Sequence, residues 1–137
     1  NEIFEQKIKA ISNNVSIYYS KYVPNNLHQF KDQKLLAFAG IGNPRNFFGL
    51  LEKNNLQIEK KVSFPDHYNY SIKELHDLVN FSLKNNLKII TTEKDYSRLY
   101  PKMNDIDLFY LPITMEFINI NEQMIFDQVI REVSSKI

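Results

Sequence analysis

Apolar residues recur along this chain in two alternating rhythms. Leu35 to Ala39 is an unbroken apolar run, the pattern of a parallel strand covered on both faces, and Leu87 to Thr92 reads as another strand entered directly from Asn85-Asn86. Between them the spacing turns helical. Phe47, Phe48, Leu50 and Leu51 form one stripe that ends at Asn54-Asn55, and Ile72, Leu75, Leu78, Val79 and Leu83 form a second. Gln57 to Phe64 predicts a strand made polar at Glu59 to Lys61, as expected at a sheet edge. Further on, Asp107 to Leu111 predicts a fourth strand, Ile113 to Ile118 a looser extension, and Ile125, Val129 and Val133 mark a terminal helix over Glu122 to Val133.

The first residues follow a different rule. Ile3, Phe4, Ile8 and Ile11 predict a short amphipathic helix before Asn13-Asn14, and Val15 to Val23 a strand that ends at Pro24. Leu27 to Phe30 is then expected to pair back across Pro24 to Asn26 as a hairpin. Strands alternating with helices at this spacing imply a three-layer α/β/α sandwich with a mostly parallel sheet, preceded by a β-hairpin linker. The expected division is residues 1–34 as N-terminal helix and β-stranded interdomain linker, and 35–137 as a C-terminal α/β/α domain.

Local signals sharpen two helix starts. After the first buried strand, Gly40 and Gly42 allow a tight turn, Asn43 is placed to cap, and Pro44 suits the first helical position. Ser71 and Glu74 have capping-box spacing, with Tyr70 and Leu75 as a hydrophobic staple around them.

With 137 residues and 43% apolar content, the chain can bury a core that removes roughly two-thirds of its unfolded surface from water. A formal charge of +1 gives no argument for nucleic-acid binding or a polybasic membrane segment. The absence of cysteine removes disulfides, thiolate nucleophiles and cysteine-bound metals, and fits a reducing compartment. No apolar run approaches the ~20 residues of a membrane span. The chain opens on Asn1 rather than methionine, as a piece of a longer protein would.

Three strings stand just after predicted strands: AGIGNP at Ala39 to Pro44, FPDHYNY at Phe64 to Tyr70, and TTEKD at Thr91 to Asp95. In a parallel sheet the strand carboxyl ends leave a crevice where ligands settle. Gly40-Ile41-Gly42 resembles the start of a dinucleotide fingerprint, but Arg45 occupies the third glycine position. Gly40, Gly42, Asn43 and Arg45 therefore stand as a tight turn or a weak anion site. No GxxxxGK[ST] string is present, so this sequence alone offers no P-loop.

His67 can accept a proton near neutral pH, with Asp66 either orienting its imidazole or merely starting the turn. His28 and His76 are weaker candidates, one in the expected hairpin and the other on a polar helix face. Glu93, Lys94 and Asp95 fall in the first turn of a short helix: a dipole-favoured start in which Asp95 helps to cap Thr92, or a group in which Lys94 meets a phosphate and the acids receive a proton or Mg²⁺. The three histidines lack metal-ligand spacing, and no metal site is expected.

Taken in order and spacing, AFAGIGNPRNFF, VSFPDHYNYS and IITTEKDYSRL resemble the C-terminal part of tetraacyldisaccharide 4′-kinase, the lipid A 4′-kinase of Gram-negative bacteria, from about Tyr18 to Pro112. The resemblance implies two α/β/α domains joined by a β-stranded linker, the absent N-terminal one carrying the P-loop and binding most of the ATP and Mg²⁺. None is expected to bind tightly here. It further implies γ-phosphoryl transfer to the 4′-hydroxyl of a lipid A disaccharide precursor, at the cytoplasmic face of the inner membrane. His67 matches the histidine of the family's DH motif, which pairs with an aspartate of the N-terminal domain in deprotonating the sugar hydroxyl. Asp66, Glu93, Lys94 and Asp95 would support it, and Gly40, Gly42, Asn43 and Arg45 would wall the cleft. The implied partners are that lipid precursor and the protein's own P-loop domain, with membrane contact through the absent half and no nucleic acid. The fragment alone is then expected to be inactive. Two other readings are a stand-alone α/β module binding a nucleotide or phosphosugar, and a structural domain whose apolar surface a partner covers.

Overall fold

A computed structural model describes residues 2–100 and 108–135. In chain order the elements are α1 (Glu2–Ile11), β1 (Ser20–Pro24), a 3-10 turn (Leu27–Phe30), β2 (Lys34–Ala39), α2 (Pro44–Lys53), β3 (Gln57–Ser63), α3 (Ile72–Lys84), β4 (Lys88–Thr92), α4 (Glu93–Leu99), β5 (Leu108–Leu111), β6 (Ile113–Phe117) and α5 (Ile120–Ser134). They condense into two units, residues 24–114 and residues 1–23 with 115–137.

The larger unit is built on a four-stranded parallel sheet of order β3-β2-β4-β5. Its central strand explains the unbroken apolar run. Side chains alternate across a strand, so Leu35, Ala37 and Ala39 enter one core with Phe47, Phe48 and Leu51 of α2, while Leu36 and Phe38 enter the other with Leu75 of α3 and Leu99 of α4. Ile90 and Ile89 of β4 divide in the same way. The sheet is thus the middle layer of three. β3 lies at an edge, which accounts for its exposed Glu59, Lys60 and Lys61. The expected start of the fourth strand at Asp107 lies outside the described residues.

Asparagine does much of the turning that glycine does elsewhere. After α2, Asn55 sits at φ 58°, with Leu56 N–H donating to Leu51 O at 3.2 Å and Asn55 N–H to Glu52 O at 2.9 Å. After α3, Asn86 sits at φ 53°, with matching bonds from Leu87 to Ser82 and from Asn86 to Leu83. Both are Schellman closures, and they deliver the chain straight into β3 and β4. At the start of α3 the capping box is formed in both directions between Ser71 and Glu74. Asn43 occupies the corresponding position before α2, but its side chain makes no capping bond, and Pro44 starts that helix without it. The buried arc of α3 runs through Leu75 and Ser82, which leaves Ile72 and Leu83 exposed on its flank rather than inward.

The expected two-stranded element exists with a different second strand. β1 pairs with β6. Ile118 N–H donates to Tyr19 O and Asn25 N–H to Pro112 O, so residue numbers rise on one strand as they fall on the other, which makes the pair antiparallel. Leu27–Phe30 instead closes into a 3-10 turn that drives Phe30 into the core beside Phe109.

In the smaller unit, Tyr18, Phe117 and Phe126 form an aromatic cluster, and Tyr19 bonds Glu5 through its hydroxyl and Glu122 through its N–H. The apolar stripe of α5 is present, but Ile125, Val129 and Val133 are exposed. Among the described residues no helix is long and apolar enough to cross a membrane.

Candidate functional site

The strand order fixes where a site belongs. From β2 the chain steps to β3 on one side and later returns to β4 on the other, so the connections leaving the carboxyl ends of β2 and β4 diverge. A crevice opens at such a switch point. The loops after β2 and β3 and the direct passage from β4 into α4, which hold the three sequence strings, meet there in two layers.

The inner layer is centred on Asp95, which is fully buried. Its Oδ2 accepts the Gly40 N–H at 2.9 Å and the Thr92 hydroxyl at 2.8 Å, and its Oδ1 accepts the Tyr70 hydroxyl at 3.1 Å. Arg98 approaches Oδ1 at 3.4 Å and also bonds the Tyr68 carbonyl. Thr92 caps α4 by accepting the Asp95 N–H at 3.1 Å. One carboxylate therefore joins the ends of β2 and β4, the loop after β3, and α4. Gly40 is required by this closeness: a Cβ there would stand 2.5 Å from the Tyr70 hydroxyl. Burial pushes the Tyr70 phenol far above its usual range, and the adjoining Asp95 carboxylate adds to the effect while Arg98 opposes it. Tyr70 is thus a fixed donor and not an acid. Thr91, also buried, donates to Phe38 O at 2.8 Å and ties β4 to β2 at the same edge.

The outer layer faces solvent. His67 adopts φ 56°, in the left-handed region that histidine tolerates better than most residues, and its N–H donates to Asp66 Oδ1 at 3.0 Å. Lys94 Nζ lies 3.4 Å from His67 Nε2 and 3.5 Å from Asp66 Oδ1, and the His67 ring stands 3.9 Å from Asp66 Oδ2. Desolvation pushes the Asp66 carboxyl up, but the charges of Lys94 and His67 and the His67 N–H outweigh it and hold the group below its usual range. Asp66 is therefore a carboxylate at neutral pH. Gly42 lies against it, where an added Cβ would meet Asp66 Oδ2 at 3.4 Å.

Behind this pair, Tyr68 donates to Glu74 at 2.6 Å. The Ser71 hydroxyl, Tyr68 and the Ser71 N–H lower the Glu74 carboxyl, and the bond to Glu74 in turn raises the Tyr68 phenol. The capping box of α3 is thereby linked to the loop that carries His67.

The structure brings Asp66, His67 and Lys94 together and sets Asp95 beneath them. Gly40 and Gly42 contact the two layers, while Asn43, Arg45 and Glu93 are exposed and their side chains join neither. Tyr70, Thr92 and Arg98 belong to the site as supports. Arg98 and Tyr68 carried no signal beyond their place inside the strings IITTEKDYSRL and FPDHYNY. Among the described residues no group of three or more His, Asp or Glu side chains is placed to hold a metal ion.

These features define a parallel α/β/α domain that presents a histidine, a carboxylate and a lysine at its switch point, over a buried acid. A family model described as LpxK: Tetraacyldisaccharide-1-P 4'-kinase matches residues 2–134, and the chain belongs to that family. The tetraacyldisaccharide 4'-kinase of Pelagibacter ubique (strain HTCC1062) is 41% identical over 113 residues, covering 82% of this chain and 36% of that protein. The enzyme of the same name from Flavobacterium psychrophilum is 38% identical over 117 residues, 85% of this chain and 32% of its own length. This chain thus spans about a third of the length of these relatives. A crystal structure of LpxK from Aquifex aeolicus, in complex with ATP, matches with a TM-score of 0.49 and 17% identity over 85% of this chain and 39% of that one.

Proposed function

We propose that this chain is the C-terminal part of an ATP-dependent kinase that phosphorylates the 4′-hydroxyl of tetraacyldisaccharide 1-phosphate, and that it supplies the proton acceptor, His67. The observation that carries the reading is the meeting of Asp66, His67 and Lys94 at the switch point of a chain in this family. The P-loop belongs to a part of the protein outside this sequence, which contains no GxxxxGK[ST] string. Alone, the chain is inactive.

Phosphoryl transfer depends mainly on positioning and on neutralising charge, with a general base adding about 10²- to 10⁴-fold. His67 Nε2 takes the proton of the sugar hydroxyl. Asp66, ionised and beside the ring, stabilises the imidazolium that results. Mg²⁺ supplies charge neutralisation at the phosphates when bound, and its ligands belong to the P-loop half. The substrate is a lipid, so the whole protein works peripherally at the cytoplasmic face of the inner membrane, touching it through that other half.

The test is ATP-dependent phosphorylation of the tetraacyl disaccharide 1-phosphate by the full-length parent, wild type against His67→Ala. A fall of ~10²-fold or more in turnover with little change in KM is expected. Full activity in the variant would remove His67 from the chemistry. If neither protein were active, a stand-alone nucleotide- or phosphosugar-binding module would become the better reading.

A further inference from the structure

Lys94 lies where the base must work. A neutral imidazole has one lone pair, and a lysine ammonium has three donors and no acceptor. At 3.4 Å from Nε2, Lys94 can only donate, so in the tautomer whose proton sits on Nδ1 it occupies the ring nitrogen that is to receive the substrate's proton, and its ion pair with Asp66 at 3.5 Å keeps it there. The hydroxyl can reach that lone pair only when Lys94 leaves. His67 is otherwise open, with 71% of its side chain exposed, and among the described residues the charged groups that face it are Asp66 from its own loop and Lys94 from α4.

We propose that Lys94 is a positioning residue that guards His67: it occupies Nε2 in the resting protein and is drawn away by an anionic phosphoryl oxygen, so that the base is freed only when the phosphoryl donor is present. This rests on the reading of His67 as the proton acceptor. An ammonium on a flexible four-carbon stem suits the task, since it can exchange a partner such as Nε2 for a more strongly charged one. Once it has moved, the hydroxyl proton passes to Nε2 while the hydroxyl oxygen bonds to the γ-phosphorus. The bond from that phosphorus to the ADP oxygen breaks, and its electron pair departs with ADP. A base masked in the absence of donor cannot deprotonate water or a stray hydroxyl in the open cleft.

The test is the rate at which diethyl pyrocarbonate, which attacks neutral imidazole nitrogen, modifies His67 in the full-length parent, read by mass spectrometry of the His67 peptide. His28 and His76 are exposed and lie outside the three strings, and they serve as internal controls. Lys94→Met should raise the His67 rate about fivefold to tenfold, the occupancy that one exposed charge-assisted hydrogen bond can hold, while Lys94→Arg keeps it low. Adding pyrophosphate should raise the rate in the wild type and leave Lys94→Met unchanged. Equal His67 rates in the wild type and Lys94→Met, or protection by pyrophosphate in both, overturns the proposal. Failure of the underlying reading shows itself separately, as a His67→Ala variant that retains full turnover.

Discussion

Replacing Asp95 by alanine tests whether one carboxylate holds the three strand-end loops together. The change leaves the Gly40 N–H, the Tyr70 hydroxyl and the Thr92 hydroxyl without their acceptor, all at positions closed to solvent or nearly so. A buried donor left unsatisfied costs about 1–3 kcal/mol, and removing one partner of a buried hydrogen-bonded charge costs about 3–5 kcal/mol. These figures describe the same groups and do not add, so Asp95→Ala should lose about 4 kcal/mol, a large part of the ~5–15 kcal/mol of a typical domain. With a urea slope of ~2 kcal/mol/M the unfolding midpoint falls by about 2 M. Asp95→Asn should lose less, about 1–2 kcal/mol: its carbonyl can stay on the Gly40 N–H, and the amide then faces Tyr70, whose hydroxyl can turn to accept. Tyr70→Phe removes one donor from an acceptor that Arg98 also approaches, and should cost ~1 kcal/mol. The assay is urea unfolding followed by circular dichroism on all three variants. A loss below about 1 kcal/mol in Asp95→Ala, at unchanged slope, would show that the loops are held by something else.

Gly40→Ala puts a methyl group 2.5 Å from the Tyr70 hydroxyl and should destabilise by about 1–3 kcal/mol, measurable in the same titration; a neutral result would mean that the phenol moves freely. The Glu74 carboxyl is lower in the folded chain than its usual 4.5, so its contribution is complete above that value and is lost as pH falls through the folded value. Melting curves of wild type and Glu74→Gln should therefore differ at neutral pH and draw together as pH falls below 4.5 through the folded value, whereas a constant gap would contradict the capping-box account. Asn86→Gly should leave stability nearly unchanged, while Asn86→Val at the same positive φ should cost about 1–2 kcal/mol, again by urea unfolding.

Those parts of the fold that rest on neighbouring residues were legible in the sequence. Leu35 to Ala39 declared a strand covered on both faces, and Ser71 with Glu74 declared the start of α3, because each signal and its cause lie within a few residues. Pairing across the chain was not legible. Leu27–Phe30 follows β1 at hairpin distance, but β1 finds its partner at Ile113–Phe117, far along the chain, and nothing local marks that choice. The Asn43 cap failed for a related reason: Pro44 already sets the entry of α2, and the side-chain bond is not made. At the site, the strings located the loops, yet Glu93, Lys94 and Asp95 look alike as a charged helix start. Only the folded chain separates them, with Asp95 turned wholly inward, Lys94 onto His67, and Glu93 out to solvent.

That separation explains how an exposed histidine can be held accurately enough to serve as a base. His67 lies on a loop at positive φ, with its ring largely in water, a poor arrangement for fixing a reacting nitrogen. Its neighbours compensate on both sides. Tyr68 is anchored through its hydroxyl to Glu74 and through its carbonyl to Arg98, and Tyr70 is anchored to Asp95, so the residues that follow His67 are fixed to α3, α4 and the ends of β2 and β4. Lys94 and Asp95 are adjacent on α4, one facing out and one facing in. The inward carboxylate receives Tyr70 and so fixes the loop on which His67 sits. Mutations at Asp95 and at its partner Tyr70 should accordingly reduce turnover in the parent enzyme by loosening the loop that carries His67, even where the domain remains folded, and Tyr70→Phe, the mildest of them, is the variant in which that loss can be read apart from unfolding.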